Sequence, residues 1–222
     1  MPKKTLISWS TGKDSSWMLY RLLQDPCFDV SGLFCTVNQE FSRTAMHAVR
    51  VELLHIQAEM LGLPLSIIEI PNPCSNAVYE QKMGEFMDQA VDSGVKCIAF
   101  GDLFLEDIRA YREQQFKDTG IEPIFPIWKQ PTKELAREMI EGGLRALVTC
   151  IDPKQMPAEF AGKEFDESFL DSLPDSVDPC GENGEFHTFV YDSPSFRKRI
   201  EISLGEIVHR DGFVFADLVP MI

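Results

Sequence analysis

Six consecutive residues near the amino terminus, Ser10, Thr11, Gly12, Lys13, Asp14 and Ser15, bring together three hydroxyls, a glycine, an ammonium and a carboxylate. That mixture suits a phosphate. Gly12 lets the backbone approach closely, Lys13 supplies a point charge, and Ser10 and Ser15 can donate hydroxyl hydrogen bonds. Asp14 can help hold a Mg²⁺ directly or through water, since magnesium normally keeps several waters. The run follows a short apolar stretch and precedes a helical pattern, so its free N–H groups and the positive helix end converge on one point. A Walker A loop, G-x-x-x-x-G-K-S/T, does not fit, because position 7 is Ile and position 14 is Asp. The simpler alternative is a helix cap built on Asp14 or Ser15.

A second set of candidates lies further along. Asp102 directly follows an apolar run, and Glu106, Arg109 and Glu113 recur at steps of 3 and 4 with Arg112 beside them. Arg109 or Arg112 could steady a phosphate or an acceptor carboxylate through paired N–H bonds. Glu106 and Glu113 read better as partners in ion pairs along a solvated helix face. Glu182 and Glu185 stand three apart with Gly184 between them, a spacing that could turn both carboxylates to one site in a tight loop. There they could bind a cation such as Mg²⁺, or act as a base. Asn183, Gly184, His187 and Thr188 complete that stretch as candidate substrate contacts, His187 being able to take up a proton. The alternative is a polar turn before a strand. The six cysteines show no CxxC pair and no zinc spacing, so they read as small buried hydrophobes.

The elements around these groups alternate between strand and helix patterns. Residues 5–9, 30–37, 65–70, 97–100 and 121–127 read as β-runs, separated by helical patterns at 16–24, 46–60, 79–90 and 103–116. In the second helix Met46, Val49, Leu53, Ile56 and Met60 form the apolar stripe, and Gly62 closes it. Val37, last in the second β-run, is grouped with residues 10–15 as a nucleotide contact. Five strands separated by helices predict right-handed crossovers and a doubly wound five-stranded parallel sheet, whose strand ends carry the ligand. After Trp128 the pattern changes to a helix at 132–140, β-runs at 144–151 and 186–191, and a hairpin of 199–208 and 213–219 about Asp211 and Gly212. The chain thus divides into a doubly wound domain, 1–128, whose first loop suits a phosphate, and a smaller α+β domain, 129–222.

Residues 10–15 resemble the SGGxDS loop of the PP-loop ATP pyrophosphatases, which split ATP between its α- and β-phosphates to adenylate a substrate. Thr11 replaces the second glycine. Further along, His47 with Arg50, Gln57 with Ala58, the run Leu61 to Leu65, Phe100-Gly101-Asp102, Phe125-Pro126-Ile127-Trp128 and, above all, the run Gly181 to Val190 resemble the diphthine–ammonia ligase family. The resemblance covers residues 5 to 196 and departs from the usual E-G-G-E at Asn183 and from the common acidic residue at His187. It implies an ATP- and Mg²⁺-dependent ligase that activates a carboxylate as an acyl-adenylate and lets ammonia displace AMP. The implied catalytic residues are Lys13, Asp14, Asp102, Glu182 and Glu185. The implied acceptor is diphthine on elongation factor 2 in an archaeal or eukaryotic source, and another carboxylate otherwise. Two other readings stay open: a PP-loop enzyme acting on a small metabolite or thiolating tRNA, and an ATP-binding sensor without turnover. On this reading a Lys13→Ala chain is expected to fold normally and to be inactive.

Length and charge bound these readings. The chain has 222 residues, 44% hydrophobic and 25% charged, which excludes a disordered or fibrous protein. Its 21 basic and 35 acidic residues leave −14, which opposes indiscriminate binding to nucleic acid or anionic membrane. Residues 159–192 hold ten acids against Lys163 alone, so the stretch carrying Glu182 and Glu185 accounts for −9 of that total. No apolar run reaches the ~20 residues needed to cross a bilayer. A cytoplasmic location is expected, and self-association into a homodimer is left open.

Overall fold

A computed structural model describes residues 1–39, 43–44 and 49–221. His47 and Met46 lie outside them. The first half is the expected doubly wound sheet. Strands β1 (Lys3–Ser8), β2 (Phe28–Asn38), β4 (Leu65–Ile70), β5 (Cys97–Ala99) and β6 (Glu122–Ile124) are all parallel, in the order β4-β2-β1-β5-β6. A two-residue strand, β3 (Arg43–Thr44), pairs antiparallel with the end of β2. Pro123 sits in β6 at the sheet edge, where a missing N–H is tolerated.

Period-two alternation assigns the strand residues to two faces. Ile7, Trp9, Leu33, Cys35 and Val37 pack with helices α1 (Lys13–Leu23) and α2 (Val51–Leu61). Leu6, Phe34, Ile98 and Phe100 pack on the opposite side with α3 (Asn76–Asp92) and Phe116, which caps α4 (Glu106–Gln115). Trp17, Met18, Leu19 and Leu22 of α1 are buried, each contributing about 1.5–3 kcal/mol through apolar burial. The helix predicted from residue 46 begins at Val51, with Arg50 as its N-cap; Val49 precedes the helix yet packs on Leu53 in the same core cluster.

The second half is a four-stranded antiparallel sheet, order β8-β7-β10-β9, made of β7 (Arg145–Ile151), β8 (Phe186–Asp192), β9 (Ile202–Arg210) and β10 (Phe213–Pro220). Two helices, α5 (Thr132–Glu141) and α6 (Glu167–Ser172), accompany it. Asp211 and Gly212 both have positive φ, 54° and 84°, as a two-residue hairpin turn requires. Leu135, Ala136 and Met139 of α5 share one core cluster with Trp17 and Ile7, so apolar packing is continuous between the halves. Among the described residues no helix is long and apolar enough to cross a membrane.

Candidate active site

In an open α/β sheet the crevice lies where the strand order reverses, here between β1 and β5. The loop after β1 and the segment after β5 meet there. A Cβ on Gly101 would stand 3.1 Å from the Asp14 carbonyl carbon and the Ser15 nitrogen, so a side chain here would press on the start of α1. A cavity of about 760 Å³ opens above this contact, lined by Ser10, Lys13, Asp14 and Ser15 from the loop, Thr36 from β2, and Gly101, Asp102 and Arg112 from the β5–α4 region. The second half supplies the facing wall, residues 180–184 and 186–188. At this size the cavity falls within the range of small-molecule sites.

Thr11 adopts φ 71°, the left-handed region natural to the glycine it replaces, and is fully buried, its hydroxyl finding no partner among the described residues. Neither Thr11 nor Gly12 is among the residues lining the cavity. Ser15 Oγ sits 3.1 Å from Ser10 Oγ and donates to the Gly12 carbonyl at 3.0 Å.

Lys13 is only 2% exposed. Its ammonium donates to both Asp14 oxygens, at 3.0 and 2.8 Å, and to the Cys180 carbonyl, with the Phe186 ring 5.4 Å away. Burial is the largest single influence and acts to lower its pKa, but Asp14, Cys180 and Glu182 together raise it, so the charge is retained. Lys13 therefore ties the loop to the second half, and the expectation that Lys13→Ala folds normally is corrected. Asp14 spends both oxygens on Lys13 rather than presenting them freely to a metal. Among the described residues no group of three or more His, Cys, Asp or Glu is arranged to hold one.

Glu182 and Glu185 do not share a site. Glu182 Oε1 accepts from the Leu103 and Phe104 N–H groups at 2.7 and 3.3 Å, and the side chain lines the cavity. Burial pushes its pKa up to about 7, against the lowering effect of those two donors. Glu185 is 1% exposed and turns inward. Its oxygens accept from Asp178 N (3.0 Å), Asn183 N (2.9 Å) and Asn183 Nδ2 (2.9 Å). The reason is the turn: Gly181 and Gly184 both have positive φ, and a Cβ on Gly181 would lie 2.7 Å from the Phe186 carbonyl. The two carboxylates leave this tight turn on opposite sides. Asn183, in place of the family's glycine, adds a side-chain donor to Glu185.

Asp102 is held bidentately by Arg112, at 2.6 and 3.1 Å, and Arg112 also stacks 4.2 Å from the Phe100 ring. Both border the cavity. Arg109 does not: it packs against Phe125 and Trp128 and pairs with Glu113, while Glu106 pairs with Lys129. Val37 likewise points into the core, and its neighbour Thr36 lines the cavity instead, as strand alternation demands. Thr188 Oγ1 accepts from Lys13 N at 3.1 Å, and His187 is on the cavity wall.

Sequence reasoning passed over Asp178, which accepts from Cys180 N, Glu182 N and Thr132 Oγ1 and so shapes the turn. It also missed the helical wall of Tyr79, Met83 and Tyr111. Gln57 carried a signal: a polar residue four after Leu53, on the apolar side of α2.

A doubly wound parallel sheet with this hydroxyl- and glycine-bearing loop at its switch point defines a nucleotide-binding protein of the PP-loop class. Residues 3–123 match the diphthamide synthase N-terminal domain and residues 131–217 the diphthamide synthase C-terminal domain. The chain belongs to that family. It is 33% identical over 170 residues to the diphthine–ammonia ligase of Danio rerio, covering 69% of this chain and 67% of that one. The rat protein of the same name is 27% identical over 229 residues, covering 93% and 85%. The human one is 30% identical over 127 residues, covering 55% of this chain and 48% of its own length, so this chain spans about half of that relative.

The raised pKa of Glu182 gives a stability prediction. The folded chain binds this proton more tightly than the unfolded chain, so the contribution is greatest below the ordinary value of 4.5 and is lost as pH rises through about 7. Urea unfolding of the wild type and Glu182→Gln from pH 5 to 8 should show the wild type losing stability relative to the variant. A pH-independent difference would refute the assignment.

Proposed function

We propose that the chain is an ATP-dependent amide ligase: it adenylates a carboxylate, releases pyrophosphate, and passes ammonia to the acyl-adenylate. The observation that carries this is the convergence on one cavity of the β1–α1 loop from the first half and residues 180–188 from the second. We assign ATP binding to residues 1–128 and the acceptor to residues 129–222. In the first step a carboxylate oxygen attacks the α-phosphorus and the bond to pyrophosphate breaks. In the second, ammonia attacks the acyl carbon, AMP leaves with its electron pair, and the nitrogen gives up a proton.

The chain's own residues suit the alignment and charge handling that these steps need. The loop N–H groups, Ser10, Ser15 and the charge of Lys13 favour the phosphates. Glu182, titrating near 7, is the base toward ammonium or ammonia. Lys13 and Arg112 are already paired, so the cavity wall has carboxylates to spare, which favours a cationic nitrogen donor. With no resident cage among the described residues, the donor set suits a Mg²⁺ that arrives on the phosphates of ATP, with Asp14 the nearest loop carboxylate. Such an ion would neutralise charge on the pyrophosphate. Glu185 and Asp178 hold the turn that presents Glu182.

The names of the relatives support diphthine as the carboxylate and ammonia as the nitrogen source. Thiolation of tRNA is disfavoured: burial pushes the Cys35 thiol up to about 12 and that of Cys180 higher still, so neither offers a thiolate. Pyrophosphate release is the test. A ligase releases it with ATP and acceptor and forms amide and AMP once ammonium is added. No release under any combination would leave a sensor.

A further inference from the structure

Gln57 takes no part in the chemistry above, yet it is fully buried and fully engaged. Trp9 Nε1 donates to its Oε1 at 2.8 Å, and its Nε2 donates to the Thr11 carbonyl at 3.1 Å and the Val190 carbonyl at 2.6 Å. Val190 N also donates to the Thr11 carbonyl, at 3.0 Å. Both lone pairs of that carbonyl are therefore taken, one by α2 and one by β8.

Peptide planarity turns this into a statement about the loop. In a trans peptide the carbonyl and the next N–H point to opposite sides. Drawing the Thr11 oxygen toward α2 and β8 sends the Gly12 N–H the other way, toward Ser10 Oγ, to which it makes only a long bond of 3.4 Å. Ser10 and Ser15, on that side, line the cavity. Thr11 is strained at φ 71° and Gly12 is conformationally free, so this peptide has little of its own to prevent it from turning over. Turned over, it would aim a carbonyl oxygen at the phosphate.

We propose that Gln57 is a positioning residue that locks the Thr11–Gly12 peptide with its N–H toward a phosphate, an inference resting on the ATP reading above. It also makes β8 of the second half part of the phosphate site. The test compares ATP with adenosine, which has no phosphate, by calorimetry on the wild type, Gln57→Met and Trp9→Phe. Gln57→Met keeps the volume and removes both donors; Trp9→Phe removes the group that orients the amide. Gln57→Met should weaken ATP binding about tenfold, the loss of roughly one hydrogen bond to a charged group, and leave adenosine within about twofold. Trp9→Phe should do the same to a smaller degree, about threefold, and decides the matter should Gln57→Met fail to fold. A purely structural role would lower the unfolding midpoint without changing the ratio of the two affinities. A wild type that prefers ATP, with variants that keep the whole preference, overturns this proposal alone. A wild type that binds adenosine as tightly as ATP overturns the ATP reading and this one with it.

Discussion

Lys13→Ala is expected to lower stability by about 3 kcal/mol as well as to abolish pyrophosphate release. Removing one member of a buried ion pair leaves the other without compensation, which costs roughly 3–5 kcal/mol; Asp14, at 26% side-chain exposure, keeps some water and places the effect at the lower end. The Cys180 carbonyl also loses its donor, and a void opens beside Phe186. Loss of the loop's only cation should slow the chemical step by at least about a hundredfold, the scale seen when one preorganised donor is removed. Urea unfolding and a pyrophosphate assay on the same preparation measure both. A Lys13→Ala chain with the wild-type midpoint would refute the buried tie between loop and turn, and one with wild-type turnover would refute the phosphate assignment.

Glu182→Ala and Glu185→Ala should separate activity from stability, although the two residues stand three apart in one turn. Truncating Glu185, itself buried, takes the acceptor from half-buried Asp178 N and from Asn183 N and Asn183 Nδ2 of an exposed residue. Each buried donor left unsatisfied costs ~1–3 kcal/mol; water can reach the exposed Asn183 amide, so the two backbone donors set an expected loss of about 3 kcal/mol. Activity falls as the turn loosens. Truncating Glu182 frees two N–H groups beside the open cavity, where water can replace the carboxylate. That variant should stay within about 1.5 kcal/mol of the wild type and lose turnover by 10²–10⁴-fold, the usual worth of a general base. Equal unfolding midpoints for the two variants would contradict the opposite orientations of their side chains.

Much of the fold was legible in the residues. Alternating β-runs and apolar helical stripes lead to the parallel sheet, Asp211 and Gly212 to the hairpin, and the place of residues 10–15 after the first strand to the crevice. These are local signals, set by backbone preference and hydrophobic period, and a sequence carries them directly. The site was legible only in part. Glu182, Asp102, Arg112 and the loop reach one cavity, whereas Val37, Arg109 and Glu185 turn elsewhere.

Those three differ for one physical reason. Residue type and spacing state which chemistry a side chain can do, but not which way it leaves the backbone once distant segments pack. Val37 and Thr36 are adjacent, and a strand sends them to opposite faces. Arg109 and Arg112 share a helix, and the rings of Phe125 and Trp128 claim one of them. Lys13 reads as a phosphate ligand in sequence, and its burial against Cys180, 167 positions away, makes it a structural cation as well. The amino acids alone determined the sheet, the loop and the chemistry that its residue types can offer a phosphate. Only the tertiary structure decided which carboxylate faces the cavity and which holds the wall in place, because Glu182 is met there by N–H groups 79 and 78 positions away while the folded turn closes on Glu185, and Lys13 anchors that turn to the loop from 167 positions away.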